Sequence, residues 1–294
     1  MNRPVAPPVR RGFTLVEILV VIGIIALLLG ILLVGLRSAF GTANKTRELS
    51  SLRQVFYAWN MYSSGSDDYV LPGYLDENTQ DKWNVDFKDI QGNDLIPANA
   101  APWSWRLAGY TDNSWDLMVG YRQDFDEDLA TVPLDIVANE PAFGYNAFYM
   151  GGWWETPTMA DNPMARFDNL PAPYNKGIIC RSQGNIDRPD QQLVFAASTV
   201  RASGLYENTE NTLVPGAHWV VPPFLGATEV WDVGFGGSPT MDVFAAEGVP
   251  LNRYTSAVGA VTADGATQSI SVDALKDMRR WVNGADAKNW QHVD

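Results

Sequence analysis

Apolar positions dominate the chain from Phe13 to Leu36, where only Thr14 and Glu17 interrupt a run of apolar and small residues. About 20 such residues carry a helix across a hydrocarbon core, so the run predicts one membrane-length helix. The pattern then changes without a proline, none occurring from Val9 to Leu71. Leu49, Leu52, Phe56 and Trp59 recur at spacings of three, four and three, which places them on one helical face. Arg47, Glu48, Arg53 and Gln54 are assigned to the other faces. The cluster Gly65-Ser66-Asp67-Asp68 ends the pattern. One helix from about Thr14 to Ser63 is therefore expected, its first half facing lipid or partner helices and its second half packed on a globular domain. Gly23, Gly30, Gly35 and Gly41 fall inside it. Each costs up to about 1 kcal/mol relative to alanine, and each permits close helix approach or a local stretch.

After residue 65 the apolar segments become short and turn-rich. Thr131–Ala138, Gln192–Thr199 and His218–Leu225 read as strands, and Pro102–Tyr110 as a short helix with proline at its start. Asp112–Thr131 and Met150–Gly177 read as surface loops. Two alternating segments in Ser256–Val272 flank Asp264-Gly265, a hairpin pattern. Asp273 then reads as the cap of a helix carrying Leu275, Met278, Arg279 and Val282, ended by Gly284. The order of elements predicts an α+β fold: a long N-terminal helix, half of it transmembrane, on an antiparallel sheet.

Glu17 is the anomaly in the apolar run. A carboxylate at the centre of a membrane helix costs roughly 2.5–3.5 kcal/mol, so a plain anchor does not explain it. A secretory signal peptide fares no better, because the candidate cleavage point near Ala39 has Arg37 where a small residue belongs. Cleavage between Gly12 and Phe13 would explain the acid. It creates an amino terminus whose reference pKa is about 7.7–8.0, and Glu17 becomes the fifth residue of the mature chain. Paired within a subunit or with the next subunit's amine, the two charges cancel in a low-dielectric setting. Arg3, Arg10 and Arg11 precede the run with no acid among them, which orients the amino terminus to the cytoplasm and the remainder outside.

The segment from Arg11 to Leu28 resembles the class III signal of type IV pilins and type II secretion pseudopilins: a short basic leader, Gly, Phe-Thr-Leu-Val-Glu, then an apolar stretch. That resemblance implies cleavage after Gly12 by a prepilin peptidase, N-methylation of Phe13, and Glu17 as the assembly carboxylate. It implies three parts: a leader over 1–12, a transmembrane and assembly helix over 13–64, and an exported α+β domain over 65–294. The implied partners are the peptidase, other pilin-like subunits and the inner membrane, with the C-terminal domain periplasmic or extracellular. Segments 141–152 and 187–198 also resemble a pilin-like group typical of planctomycetes, whose C-terminal motif is a His, nine residues, then Asp-Gly. Here Asp264-Gly265 puts Tyr254 at the histidine position, so no role of that histidine is carried over.

Composition narrows the remaining choices. A formal charge of −13 disfavours nucleic acid, which selects lysine and arginine. The single cysteine, Cys180, permits no internal disulfide, and His218 and His292 stand in no metal-ligand or triad spacing. Asp124, Asp126 and Asp128 half-resemble a calcium loop. Leu129 occupies the position that requires glycine and Asp135 replaces the bidentate glutamate, so a solvated acidic turn is preferred and no cofactor is expected. No nucleophile, phosphate-loop or zinc pattern appears, and the chain is not read as an enzyme. Aromatic residues make up 12%, which leaves one alternative open: a membrane-anchored cell-surface protein binding glycan or protein.

Overall fold

The computed structural model describes residues 15–89, 92–112, 114, 117, 139–167, 178–201, 213–225, 228–231, 248–250 and 257–291. The chain divides into two compact units, Met1–Asn44 and Lys45–Asp294. A single helix, α1, runs over Leu15–Gly65. Its apolar segment Leu15–Leu33 is long and apolar enough to cross a membrane, and none of it is buried. Gly23, Gly30, Gly35 and Gly41 leave the helix unbroken. A Cβ at any of them would meet no described atom within 4 Å, so no described contact within the chain requires glycine there.

The second unit is a set of short elements around one sheet. They are β1 (Tyr74–Leu75), α2 (Glu77–Lys82), α3 (Pro97–Ala100), α4 (Ser104–Ala108), β2 (Phe143–Tyr145), β3 (Trp153–Glu155) and β4 (Met164–Ala165). Then follow β5 (Leu193–Ala197), β6 (Thr199–Arg201), β7 (Leu213–Pro215), β8 (Phe224–Leu225), β9 (Thr228–Glu229), β10 (Ala257–Thr262), β11 (Thr267–Ser271) and α5 (Val272–Leu275). The main sheet is antiparallel, in the order β11-β10-β5-β2. A smaller sheet joins β1, β3 and β4, with β1 parallel to β3. The fold is the expected α+β class, a long apolar N-terminal helix with an antiparallel-rich sheet domain.

Each face of the main sheet has its own core. On one face Leu52, Val55, Phe56 and Trp59 of α1 meet Phe143, Tyr145, Phe195 and Val261. The Trp59 indole donates to the Tyr145 hydroxyl at 3.1 Å, which donates to the Leu71 carbonyl at 2.9 Å. On the other face Leu193, Ala196, Val258 and Ala260 meet Leu275, Met278, Trp281 and Val282. No disulfide holds this C-terminal segment, since Cys180 is free, buried and raised to about 11 by that burial. Polar side chains hold it instead. Asn146 donates to the carbonyls of Leu193 and Trp281, and Gln192 donates to Trp281. Arg188 donates to the carbonyls of Asn283 and Ala285. Buried carbonyls of an irregular segment need such donors.

Several expectations are corrected. Glu48 is buried on the sheet face of α1, not on an outer face. It precedes Leu52 by four residues and so shares its face; Gly259 of β10 makes room for it, since a Cβ there would lie 2.0 Å from the Glu48 Oε1. His218–Leu225 forms only a single bridge at Trp219 and the two-residue β8, because Pro222 and Pro223 lack the donors a ladder needs. The start of Met150–Gly177 is not a surface loop. Met150 to Gly152 are buried and lead into β3 and β4. Gly151 has φ +71, and a Cβ on it would lie 1.8 Å from the Leu71 carbonyl oxygen. Asp273 is not the helix cap: the Ser271 hydroxyl accepts from Ala274 N–H, and α5 is one turn followed by a 3-10 turn over Met278–Arg280. The Asp264-Gly265 hairpin forms as expected, with Gly265 at φ +86. Thr131–Ala138 and Tyr254 lie outside the described residues, as does most of Asp112–Thr131.

Candidate functional site

Two places carry candidate chemistry, and each lies within one unit. The first is the start of α1. Leu15, Val16, Ile18, Leu19, Val20 and Val21 are all exposed, by 48–80%, and Glu17 is exposed among them. Glu17 stands in the first turn, where the unsatisfied N–H groups of the helix end give a partial positive charge that favours a carboxylate. An exposed apolar sleeve of this length is stable only inside another apolar medium, whether lipid or neighbouring helices. Gly12 and Phe13 lie outside the described residues, so the structure places only Glu17 of the three expected motif residues.

The second is a groove of about 300 Å³ in the globular unit, lined by Tyr62, Tyr69, Pro72, Trp83, Trp154 and Arg181 among others. Its rings come from separate segments: the end of α1, the turn after it, the end of α2, and β3. Trp83 and Trp154 meet edge to face with centroids 5.0 Å apart. The Arg181 guanidinium lies 4.7 Å over the Trp154 ring. Burial raises the Tyr62 phenol, against the pull of Arg106. Arg106 is itself buried and donates to the carbonyls of Pro72 and Ala101. Burial lowers its pKa to about 10, and its described partners are carbonyls and the Phe87 ring rather than a carboxylate. Sequence spacing gave no sign of this assembly, because no two of its segments are joined by a periodic pattern.

His218, one of two histidines, is a core residue. It lies against Tyr74, Trp153 and Trp219, and burial lowers its pKa to about 3, so it is neutral near pH 7. Among the described residues no group of three His, Cys, Asp or Glu side chains is arranged to hold a metal ion. Asp124, Asp126 and Asp128 lie outside the described residues.

The sequence model of the family described as "Prokaryotic N-terminal methylation motif" matches residues 8–33. No curated protein and no solved structure matches the chain. The matched segment contains Gly12, Phe13 and Glu17 and most of the exposed sleeve of α1. The chain thus carries a type IV pilin-like prepilin signal on the one membrane-length helix among the described residues, the kind of signal a prepilin peptidase processes.

Proposed function

We propose that this protein is a pilin-like structural subunit, cut after Gly12, methylated on Phe13 and assembled through α1 into a type IV pilus or a type II secretion pseudopilus. The leader over 1–12 is lost. The helix over 13–64 first sits in the inner membrane and then in the filament, and the domain over 65–294 lies on the far side of the membrane. The observation that carries this reading is Glu17 in the first turn of an exposed apolar helix within the matched motif. After cleavage, Glu17 and the new amino terminus neutralise one another across neighbouring subunits. Lipid is a poor place for either charge alone, so pairing drives the subunit out of the membrane and into a stack. The α1 glycines, which no described intramolecular contact requires, suit close approach of neighbouring helices. The same motif supports a structural rather than a catalytic role.

The test is assembly. Glu17→Val removes the charge while keeping the helix apolar and membrane-inserted. Filaments seen by electron microscopy with the parent chain should be lost with the variant, while the variant still fractionates with membranes. Normal filaments from the Glu17→Val chain would refute the role given to the carboxylate.

A further inference from the structure

We infer that β11 is an open edge that pairs antiparallel with β11 of a second copy, and that this pairing joins neighbouring filaments. The second half of that statement rests on the assembly reading. The two ends of the main sheet differ. At β2 the edge is covered: Tyr145 N–H donates to the His218 carbonyl at 3.2 Å, and Val220 N–H donates to the Tyr145 carbonyl at 2.8 Å. At β11 only the inner side is paired, with β10, in one register from Val261–Thr267 to Ala257–Ser271. The parity of that ladder decides which groups face outward. Thr262 N–H donates to the Ala266 carbonyl at 3.2 Å, in the same register. Bonded pairs alternate along an antiparallel ladder, so the next ones are Ala260–Gln268 and Val258–Ile270. The main-chain groups of Thr267 and Ser269, and the N–H of Ser271, therefore point to the open edge, and no described segment bonds to them. Native edges are guarded by lysine, proline, a bulge or a covering loop. Thr267-Gln268-Ser269-Ile270-Ser271 has no charge and no proline, and the register shift at Val261/Thr262 lies on the β5 side of β10.

The strand is complementary to itself. A two-fold axis through Ser269 sets Thr267 opposite Ser271 of the second copy, Ser269 opposite Ser269, and Gln268 opposite Ile270. Hydroxyl pairs of this kind stabilise cross-strand contacts, and no like charges face each other within the strand. The Ser271 hydroxyl accepts from Ala274 N–H and keeps its own O–H to donate. Charge adds to the match at the strand ends. Arg53 is exposed, donates to the Thr267 hydroxyl at 3.0 Å and has no ion pair among the described residues. The axis brings it to the strand end that Asp273 of the second copy follows, a carboxylate 88% exposed and held to Lys276 at 3.2 Å. Direction decides which copies meet. Glu48 lies against Gly259 and Phe56 against Gly265, so this stretch of α1 runs alongside β10. The axis reverses that stretch in the second copy, whereas subunits stacked head to tail in one filament share one direction. The pair therefore spans two filaments lying side by side in opposite directions. One five-residue edge is a small contact, and repetition along both filaments multiplies it.

The test traps the pair by disulfide formation in the full chain, held in detergent micelles. Salt at about 0.15 M limits the repulsion between chains of charge −13 to about 8 Å. Cys180 is free but buried, so each variant adds one accessible thiol. Ser269→Cys should oxidise to a dimer, since paired Cα atoms about 5.5 Å apart suit a disulfide. Thr267→Cys and Ser271→Cys should each stay monomeric alone, because the axis sets like residues about 13 Å apart, and should cross-link when mixed. Adding Ser269→Lys to both sets two lysines opposite each other and should lower that product about tenfold or more. Unchanged melting temperatures show that the variants fold. Parent filaments should associate laterally in electron micrographs, while Ser269→Lys filaments form normally and stay single. A Ser269→Cys chain that dimerises no faster than Tyr57→Cys, at an exposed site on α1, would overturn the pairing. So would a Thr267→Cys chain that dimerises alone as well as the mixture does. Ser269→Lys filaments that associate like the parent's would overturn the role between filaments. Trapping in micelles from a chain that forms no filaments would support the pairing and count against the assembly reading.

Discussion

The two halves of α1 are built from similar apolar residues and meet opposite fates. From Leu15 to Leu33 the helix is apolar on all sides apart from Glu17, and every side chain lies at the surface of its unit. From Glu48 to Trp59 the apolar residues other than Tyr57 keep to one face, and Leu52, Val55 and Trp59 are fully buried. The difference shows what periodicity encodes. A one-sided stripe declares that the chain supplies its own partner, here the main sheet, whereas an all-round apolar surface declares a surrounding medium the chain does not supply. The same reasoning separates the glycines: those at 23, 30, 35 and 41 face open space within the chain, while Gly259 is demanded by a neighbour.

Substitutions should divide along that line. Trp59→Ala removes a fully buried ring and leaves the Tyr145 hydroxyl without its donor, and it should cost about 3–5 kcal/mol in denaturant unfolding followed by near-UV circular dichroism. Ile25→Ala, at a side chain 48% exposed in the apolar half, should leave that same transition within about 0.5 kcal/mol of the parent. If both behave alike, the two halves do not differ as described. Gly259→Ala is next in size. Its Cβ would fall 2.0 Å from the Glu48 carboxylate, so the buried side chain must shift, at about 1–3 kcal/mol, whereas Gly30→Ala meets nothing and should not lower domain stability.

The globular unit should also weaken in acid through His218, whose folded pKa is about 3. The unfolded chain takes up this proton below its reference value of about 6.5 and the folded chain does not, so stability falls as pH drops through that value. The loss from this group reaches about 2 kcal/mol at pH 5, and it should vanish from the pH 5–7 slope in a His218→Asn variant, measured by urea unfolding at each pH. The smallest effect separates two neighbours at the C-terminal turn. Ser271→Ala removes the cap hydroxyl and should cost about 1 kcal/mol, while Asp273→Ala, exposed within the turn, should cost less than half of that.

Local features were legible in the sequence. The C-terminal end of α1 lies within two residues of its expected place, because the glycine-aspartate cluster and the absence of proline are local. The hairpin was legible because Asp264-Gly265 sits between alternating segments that pair with each other. The charge of Glu48 points to an outer face, whereas its spacing of four from Leu52 puts it on the buried one. The latch on the C-terminal segment was not legible, since Asn146 reaches across 135 residues to the Trp281 carbonyl. The aromatic groove was hidden for the same reason: its rings arrive from segments that only the folded sheet brings together. For the N-terminal motif, chemistry and spacing alone pointed to the kind of signal that the family model matches over residues 8–33.

The most direct measurement is the intact mass and N-terminal sequence of the protein extracted from cell membranes or filaments. A chain beginning at Phe13, one methyl group heavier than the unmodified residue, is the expected result. A chain that keeps Met1, or one that begins after Ala39, would contradict the role given to Gly12, Phe13 and Glu17.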